Sequence, residues 1–373
     1  MGKLYLSNER QFCGNSAGAK VNASGELVFT TSMVGYHETL TDPSYYGQII
    51  VFSYPLIGNY GVPKFTKDTL LEGFESKKIH ASGVILSSAS TNHFHSNSFA
   101  SLSEWLTEQG VPLLTEVDTR ELTKMIRQEG CVFGNIIVNE GVTIERPSLY
   151  SHTEDKFFNP SLHCLMSEVS TDEIVHFGDS GPVVGVIDCG IKWNIIRKLL
   201  GLKCQVKLIP WNADLDNIDC DAWLISNGPG DPTKSVGLVE RISTLIKRRK
   251  PVFGICLGHQ LLSMAFGAEV RRLPYGHRSY NQPVQLVNTN KGFLTSQNHG
   301  YYVDEKTLPP FLEPWFINAN DKTLEGVKHQ ELPIYSVQFH PEAAGGPQET
   351  SWIFDKFVSD IKESVSEVAH AIT

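Results

Sequence analysis

The feature that most constrains the fold is a regular alternation of short apolar runs and helical segments after Pro182. The apolar runs cover residues 183–187, 204–209, 222–226 and 252–255, and the helical segments cover 193–200 and 238–249. Short, fully apolar runs of this kind are typical of strands buried on both faces in a parallel sheet. Strands joined through helices at this spacing imply right-handed crossovers, so the pattern predicts a doubly wound α/β domain.

The residues before this domain have a different character, and 373 residues at roughly 150 per domain allow a second one. Strand patterns at 25–29 and 48–52 flank turn residues at 41–44. Two helical stretches follow, one ending at Gly110 and one running from Asp118 to Gly130. We predict an α/β protein with an N-terminal mixed β/α domain at 1–145, a linker at 146–181 and the doubly wound domain at 182–373.

Composition excludes several classes of protein. With 41% hydrophobic residues the chain can form a sizeable core, and a net charge of −9 disfavours binding to nucleic acid. No apolar run is long enough to span a membrane, so we expect a soluble, cytoplasmic protein. Seven scattered cysteines argue against disulfides. His93 and His95 lack nearby acidic partners, so we interpret them as part of a solvated loop and predict no metal site.

Residues 254–258, Gly-Ile-Cys-Leu-Gly, carry the strongest chemical signal. They lie between a buried strand and a helical stretch, which matches a nucleophile elbow with sulfur in place of the hydroxyl. The helix N-terminus would favour the thiolate of Cys256, and the first helical amides, starting with Leu257, could stabilise an oxyanion. The alternative, a structural buried cysteine, is our interpretation of the other six.

A proton shuttle for that thiolate is offered by His340 and Glu342, which follow an alternating strand pattern. Residues two apart on an extended backbone face the same side, so Glu342 could orient the imidazole of His340. The glycine-rich loop at 227–232 follows another strand, at the sheet edge where open α/β folds bind ligands. We therefore hypothesise a Cys256–His340–Glu342 triad.

Together, residues 254–260, the 227–232 loop and 340–342 resemble the class I (triad) glutamine amidotransferases. Further segments resemble the small, glutamine-hydrolysing subunit of carbamoyl-phosphate synthetase, in both predicted domains and in the same order along the chain. These segments are 29–36, 40–45, 54–61, 188–192, 276–278 and 296–301.

The resemblance implies Cys256 as nucleophile, with His340 and Glu342 completing the triad. It also implies a pocket for L-glutamine, formed by Ser44, Gly228, Gly230, Leu257, Gln260, Asn298, Gly300 and Tyr301. A cysteine at position 256, where some relatives have serine, implies an active glutaminase. The implied partner is a large synthetase subunit, in a heterodimer or higher assembly. ATP and Mg would bind that subunit, with no cofactor in this chain.

Several alternatives stay open. The same elbow and histidine occur in thiol hydrolases of γ-glutamyl peptides, and a regulatory or scaffolding subunit could carry a vestigial site. Residues 279–280 and 113–116 depart from the family pattern, which leaves room for a paralogue that serves a different synthetase. The sequence does not decide between pyrimidine and arginine biosynthesis.

Overall fold

The computed structural model describes residues 1–66, 69–138 and 156–372, with the backbone alone described for 367–372. The chain divides into two compact units, Met1–His163 and Cys164–Thr373. Of the predicted linker, residues 146–155 lie outside the described part. The remainder contains two 3-10 turns, Pro160–Leu162 and Leu165–Glu168, and one short strand.

The first unit contains nine strands and three helices in its described residues. The strands are β1 (Gly2–Leu6), β2 (Gln11–Gly18), β3 (Ala23–Thr30), β4 (Gln48–Phe52), β5 (Leu56–Ile57), β6 (Gly83–Ile85), β7 (Ser88–Ala89), β8 (Pro112–Thr115) and β9 (Val132–Ile137). The helices are α1 (Tyr36–Thr41), α2 (Leu102–Glu108) and α3 (Thr119–Glu129).

Seven of these strands close into a barrel in the order β1-β2-β8-β6-β4-β3-β9, with β1 and β9 paired antiparallel. The strands predicted at 25–29 and 48–52 are β3 and β4, which pair in parallel. The turn predicted at 41–44 was only partly right, because α1 ends at Thr41 and a 3-10 turn follows at Pro43–Tyr45. The predicted helix at Asp118 is confirmed: the Asp118 side chain accepts a hydrogen bond from the N–H of Glu121 and caps α3.

The second unit contains ten strands and four helices over residues 164–372. The strands are β10 (Val175–Phe177), β11 (Val183–Asp188), β12 (Gln205–Pro210), β13 (Ala222–Ile225), β14 (Val252–Ile255), β15 (Val270–Leu286), β16 (Gly292–Val303), β17 (Leu312–Asn318), β18 (Leu324–His329) and β19 (Ile334–Val337). The helices are α4 (Trp193–Gly201), α5 (Val236–Ile246), α6 (Leu257–Ala265) and α7 (Trp352–Ile372).

A single ten-stranded sheet organises this unit, in the order β10-β12-β11-β13-β14-β19-β18-β17-β15-β16. The five strands from β12 to β19 run parallel, as predicted from the alternating pattern. Strands β18, β17, β15 and β16 extend the sheet antiparallel, an addition that the sequence analysis did not predict. Parallel strands present their carboxyl ends at one edge, so the loops after β11, β13, β14 and β19 lie close together.

Among the described residues, no helix is both long enough and apolar enough to span a membrane.

Candidate active site

Cys256 occupies a sharp reversal between β14 and α6. Its backbone has φ 54° and ψ −103°, a positive-φ conformation that is uncommon for a residue other than glycine. The N–H of Cys256 donates to the carbonyl of Val337, the last residue of β19, at 2.9 Å. Because Cys256 is the N-cap residue of α6, the positive end of the helix dipole points at its sulfur. The predicted elbow is confirmed as a local structure.

The elbow glycines act through close packing. A Cβ on Gly258 would collide with the carbonyl oxygen of Ile225, and one on Gly254 would lie 2.7 Å from the carbonyl oxygen of Gly258. The positive φ belongs to Cys256, whereas neither glycine has one. These glycines therefore let the first turn of α6 pack directly against strand backbone, which holds the nucleophile in its strained conformation.

His340 and Glu342 form a buried pair. The Nδ1 of His340 lies 2.6 Å from Oε1 of Glu342, and the side chains are 2% and 0% exposed. The expected extended strand was wrong in detail, because β19 ends at Val337 and Glu342 lies in a turn. The N–H of His340 donates to the carbonyl of Ser296 at 2.9 Å, and this bridge fixes the backbone where the turn begins.

Lys192 is a member of the site that the sequence analysis missed. Its buried ammonium donates to Oε1 of Glu342 at 3.0 Å and to the carbonyl of Ala343 at 2.9 Å. One carboxylate oxygen of Glu342 thus accepts from both Lys192 and His340. The signal was present: Lys192 ends the segment after β11, at the same sheet edge as the nucleophile.

These charges determine the protonation of the pair. Burial would raise the pKa of Glu342, but the ammonium of Lys192 and the imidazole of His340 lower it to about 2. Burial lowers the pKa of His340, yet the carboxylate of Glu342 and the sulfur of Cys256 outweigh burial and Lys192 and raise it to about 10. His340 is therefore an imidazolium near neutral pH, next to the sulfur that it would serve.

One backbone carbonyl and one glutamine side chain contact the sulfur, and a second glutamine connects them to a further carbonyl. The Sγ of Cys256 lies 3.7 Å from the carbonyl oxygen of Asn298 and 3.7 Å from Nε2 of Gln338. The Nε2 of Gln260 donates to the carbonyl of Tyr301 and to Oε1 of Gln338, both at 3.0 Å. Hydrogen bonds through Gln338 thus connect four of the predicted residues, Cys256, Gln260, Asn298 and Tyr301, and their role in binding glutamine stays a prediction. Gln338 was missed, although it alternates with His340 along the chain.

The other predicted pocket residues of the second unit lie on the loop after β13, at the start of α6 and on β16. A Cβ on Gly228 would lie 2.9 Å from the side chain of Leu257 and would collide with the carbonyl of Cys189, so this loop approaches the start of α6. Gly230 has φ +92° and faces Leu165, and Gly300 lies on β16 between Asn298 and Tyr301.

Ser44 belongs to the first unit. It lies buried in the 3-10 turn Pro43–Tyr45, and its N–H donates to Oδ1 of Asp42 at 2.9 Å. Its role in the glutamine pocket stays a prediction.

Sequence comparison identifies the class of each unit. Residues 185–359 match the family Glutamine amidotransferase class-I. Residues 4–136 match the family Carbamoyl-phosphate synthase small chain, CPSase domain. The second unit is thus a class I glutamine amidotransferase domain, in agreement with its elbow and parallel sheet.

Relatives that match nearly the whole of this chain identify the family to which it belongs. The carbamoyl phosphate synthase arginine-specific small chain of Neosartorya fischeri is 42% identical over 359 residues, covering 94% of this chain and 78% of that protein. Its namesake from Phaeosphaeria nodorum is 43% identical over 365 residues, covering 96% and 75%. The multifunctional protein URA2 of Saccharomyces cerevisiae is 42% identical over 386 residues, covering 96% of this chain and 17% of that protein. The chain belongs to the carbamoyl-phosphate synthase small-chain family.

Proposed function

We propose that this chain hydrolyses L-glutamine to glutamate and ammonia, with Cys256 as nucleophile. The observation that carries the proposal is the chain of buried groups from Lys192 through Glu342 and His340 to the sulfur on a strained elbow. A base held in orientation by a carboxylate, beside a nucleophile at a helix N-terminus, is the arrangement that covalent acyl transfer requires.

The first step forms a bond between the sulfur and the side-chain carbonyl carbon of glutamine. The carbonyl oxygen becomes an oxyanion, and we assign the N–H of Leu257 as its first donor, because the first residues of a helix have no intrahelical acceptor. The N–H of Gly228, on the loop that approaches Leu257, is the second donor that we assign.

His340 acts first as the general acid and then as the general base. Its imidazolium gives a proton to the leaving nitrogen, the C–N bond breaks, and ammonia departs from a glutamyl thioester. Neutral His340 then takes a proton from water, the hydroxide oxygen bonds to the thioester carbon, and the C–S bond breaks. Glutamate leaves, and the site returns to thiolate and imidazolium. Glu342 and Lys192 keep the ring in place throughout and exchange no proton.

The ammonia requires a consumer. Family membership supports a large synthetase subunit as partner, in a heterodimer or higher assembly, to which the ammonia passes for the synthesis of carbamoyl phosphate. In this proposal ATP and Mg bind the partner, and this chain supplies no cofactor.

The substitution Cys256→Ser tests the proposal in the complex with the large subunit. Glutamine-dependent activity should fall by more than about 10³-fold because the nucleophile is lost. Ammonia-dependent synthesis should persist, which shows that the complex is intact. Wild-type rates of glutamine hydrolysis in the folded variant would refute the assignment.

A parallel assay distinguishes glutamine from the alternative substrates, γ-glutamyl peptides. The wild-type complex should hydrolyse free glutamine and leave γ-glutamyl peptides intact. Preference for the peptides would instead identify a γ-glutamyl thiol hydrolase.

A further inference from the structure

A second group of buried titratable side chains lies in the antiparallel part of the second unit. This histidine–carboxylate cluster consists of His277 on β15, His299 on β16 and Glu325 on β18, which are 8%, 6% and 0% exposed. His277 and His299 are directly opposite in the ladder between β15 and β16. One ligand atom from each residue lies within 4.8 Å of the others. The proposed mechanism uses none of them.

In the rings of His277 and His299, the nitrogen that faces away from the cluster is already hydrogen-bonded. The Nε2 of His277 lies 2.8 Å from a carboxylate oxygen of Asp321, and Nδ1 of His299 lies 2.8 Å from the backbone carbonyl of Tyr301. A carbonyl can only accept, so Nδ1 of His299 carries the hydrogen, and the neutral ring has its lone pair on Nε2. Metal-binding histidines almost always donate their other N–H to a carboxylate or a backbone carbonyl in this way.

The other nitrogen of each ring faces the side-chain oxygen of Gln297. Oε1 of Gln297 lies 3.1 Å from Nδ1 of His277 and 3.0 Å from Nε2 of His299. The orientation of this amide is fixed, because its Nε2 donates to the hydroxyl of Thr295, which in turn donates to the carbonyl of Gln282. The amide oxygen of Gln297 and the lone pair on Nε2 of His299 therefore face each other in the protein interior. Both are hydrogen-bond acceptors, so each requires a proton or a cation as its partner.

Glu325 adds further lone pairs. Its Oε1 accepts from Nδ2 of Asn318 at 2.9 Å and lies 3.5 Å from Nδ1 of His277. Its Oε2 is buried and has no hydrogen-bond partner within the described residues. A buried carboxylate oxygen without a partner costs free energy, so the cluster has unused capacity to bind a cation.

A proton satisfies only part of this arrangement. A proton on Nδ1 of His277 would satisfy the oxygen of Gln297. It would still leave the lone pair of His299 facing that same oxygen at 3.0 Å.

We propose that this cluster is a structural zinc site. The ligands are Nδ1 of His277, Nε2 of His299, the carboxylate of Glu325 and the amide oxygen of Gln297. Tetrahedral zinc with bonds of 2.0–2.1 Å separates its ligand atoms by roughly 3.3 Å. Three of the six separations in the cluster are 3.0, 3.1 and 3.5 Å, and the ligand atoms of His277, His299 and Glu325 all lie within 4.8 Å of one another. The proposal departs from the prediction that this chain holds no metal.

Such an ion would stabilise the wall of the active site. It would link β15, β16 and β18, and β16 carries the carbonyls of Asn298 and Tyr301 that contact Cys256 and Gln260. The zinc takes no part in the chemistry, so the proposal stands independently of the glutaminase assignment.

The test measures zinc in the full chain, purified without chelators from cells grown with added zinc, by inductively coupled plasma mass spectrometry. One zinc per chain is expected in the wild type. The substitutions Glu325→Gln and His277→Gln should each abolish stoichiometric binding. Asp321→Asn should retain the site with an affinity about 10–100-fold lower, because it removes only the outer partner of His277.

Glu313→Gln on neighbouring β17 is the matched control, since Glu313 forms an exposed pair with Lys328 and should leave zinc content unchanged. If the ligand variants fail to fold, Co²⁺ added to the metal-free wild-type chain decides the question through the visible absorption of tetrahedral cobalt. A wild-type chain that contains no zinc and acquires neither zinc nor cobalt overturns the proposal. Full zinc content in folded Glu325→Gln overturns it as well.

Discussion

Among single residues, Lys192 places a buried ammonium next to the carboxylate of the proposed triad. It is the strongest influence that lowers the pKa of Glu342, and it lies 3.0 Å from the carboxylate oxygen that also accepts from His340. Removing one partner of a buried ion pair leaves an uncompensated charge, which is more costly than losing an exposed pair.

Lys192→Met should therefore destabilise the protein by about 3–5 kcal/mol and reduce glutamine hydrolysis. The free energy of unfolding in urea and kcat for glutamine measure the two effects. Lys328→Met is the matched control, because Lys328 and Glu313 form an exposed pair between β18 and β17, and such pairs contribute about 0–1 kcal/mol. Equal losses in both variants would contradict the role given to Lys192.

The pKa of His340 predicts a pH dependence of stability. Because folding raises it from 6.5 to about 10, the protonated ring stabilises the folded state. This contribution is fully present below pH ~6.5 and is lost as the pH rises through about 10. The free energy of unfolding of wild type should therefore fall more steeply over this range than that of His340→Asn. Parallel curves for the two proteins would show that folding does not raise this pKa.

The residues of the site differ in how far sequence could identify them. Cys256, with its flanking glycines, and the pair His340 and Glu342 are local patterns. Lys192 meets Glu342 across 150 positions, and that contact arises only when β11 and β19 take their places in the sheet. Because the two residues are far apart in sequence, no local pattern could reveal the role of Lys192.

At the scale of elements, the elbow depends on backbone contacts that leave no space for a side chain. The helix α6 begins directly after Cys256, and a Cβ on Gly258 would collide with the carbonyl of Ile225 at the end of β13. The geometry of the nucleophile thus depends on a neighbouring strand as well as on its own loop.

Gly258→Ala should destabilise the protein by about 1–3 kcal/mol and sharply reduce glutamine hydrolysis, because the start of α6 must shift. Thermal unfolding and the steady-state rate measure the change. Gly201→Ala in α4 is the control, since no atom lies within 4 Å of its Cβ position, and it should be neutral or stabilising by about 0.4–1 kcal/mol. Normal activity in Gly258→Ala would contradict the packing argument.

The parallel strands were predicted within one or two residues because each is a short apolar run bounded by turns. Helix ends were less certain: the segment predicted at 238–249 is α5, Val236–Ile246. Lys247 and Arg248 are good helix formers but lie in a turn, and Arg249 has φ 57°, which no helix continues. The antiparallel strands β15–β18 were missed because their exposure is irregular, with two register shifts between β15 and β16.

At the scale of the whole molecule, each unit depends on pairings between distant segments. The barrel closes through β1 and β9, which are more than a hundred residues apart in sequence, and no local pattern reveals such closure. The doubly wound sheet was more accessible, because alternating strands and helices have few possible connections.

The proposed function also predicts coupling to the partner. Glutamine hydrolysis without consumption of the ammonia would be wasteful, so the complex with a large synthetase subunit should hydrolyse glutamine faster than the isolated chain. A difference of about tenfold or more in kcat corresponds to at least ~1.4 kcal/mol in the barrier. Equal turnover in the two preparations would argue against coupling.

Labelling with a thiol-directed haloketone analogue of glutamine, followed by peptide mass spectrometry, shows whether Cys256 is the nucleophile. Burial raises the pKa of the thiols of Cys189, Cys204 and Cys220, so these stay protonated and unreactive. Exposed Cys13 reports non-specific reaction, which excess glutamine should not prevent.

We expect one label per chain, at Cys256, formed in step with the loss of glutamine hydrolysis and blocked by excess glutamine. Inactivation with Cys256 unmodified, or a glutamine-protected label on any other cysteine, would contradict it.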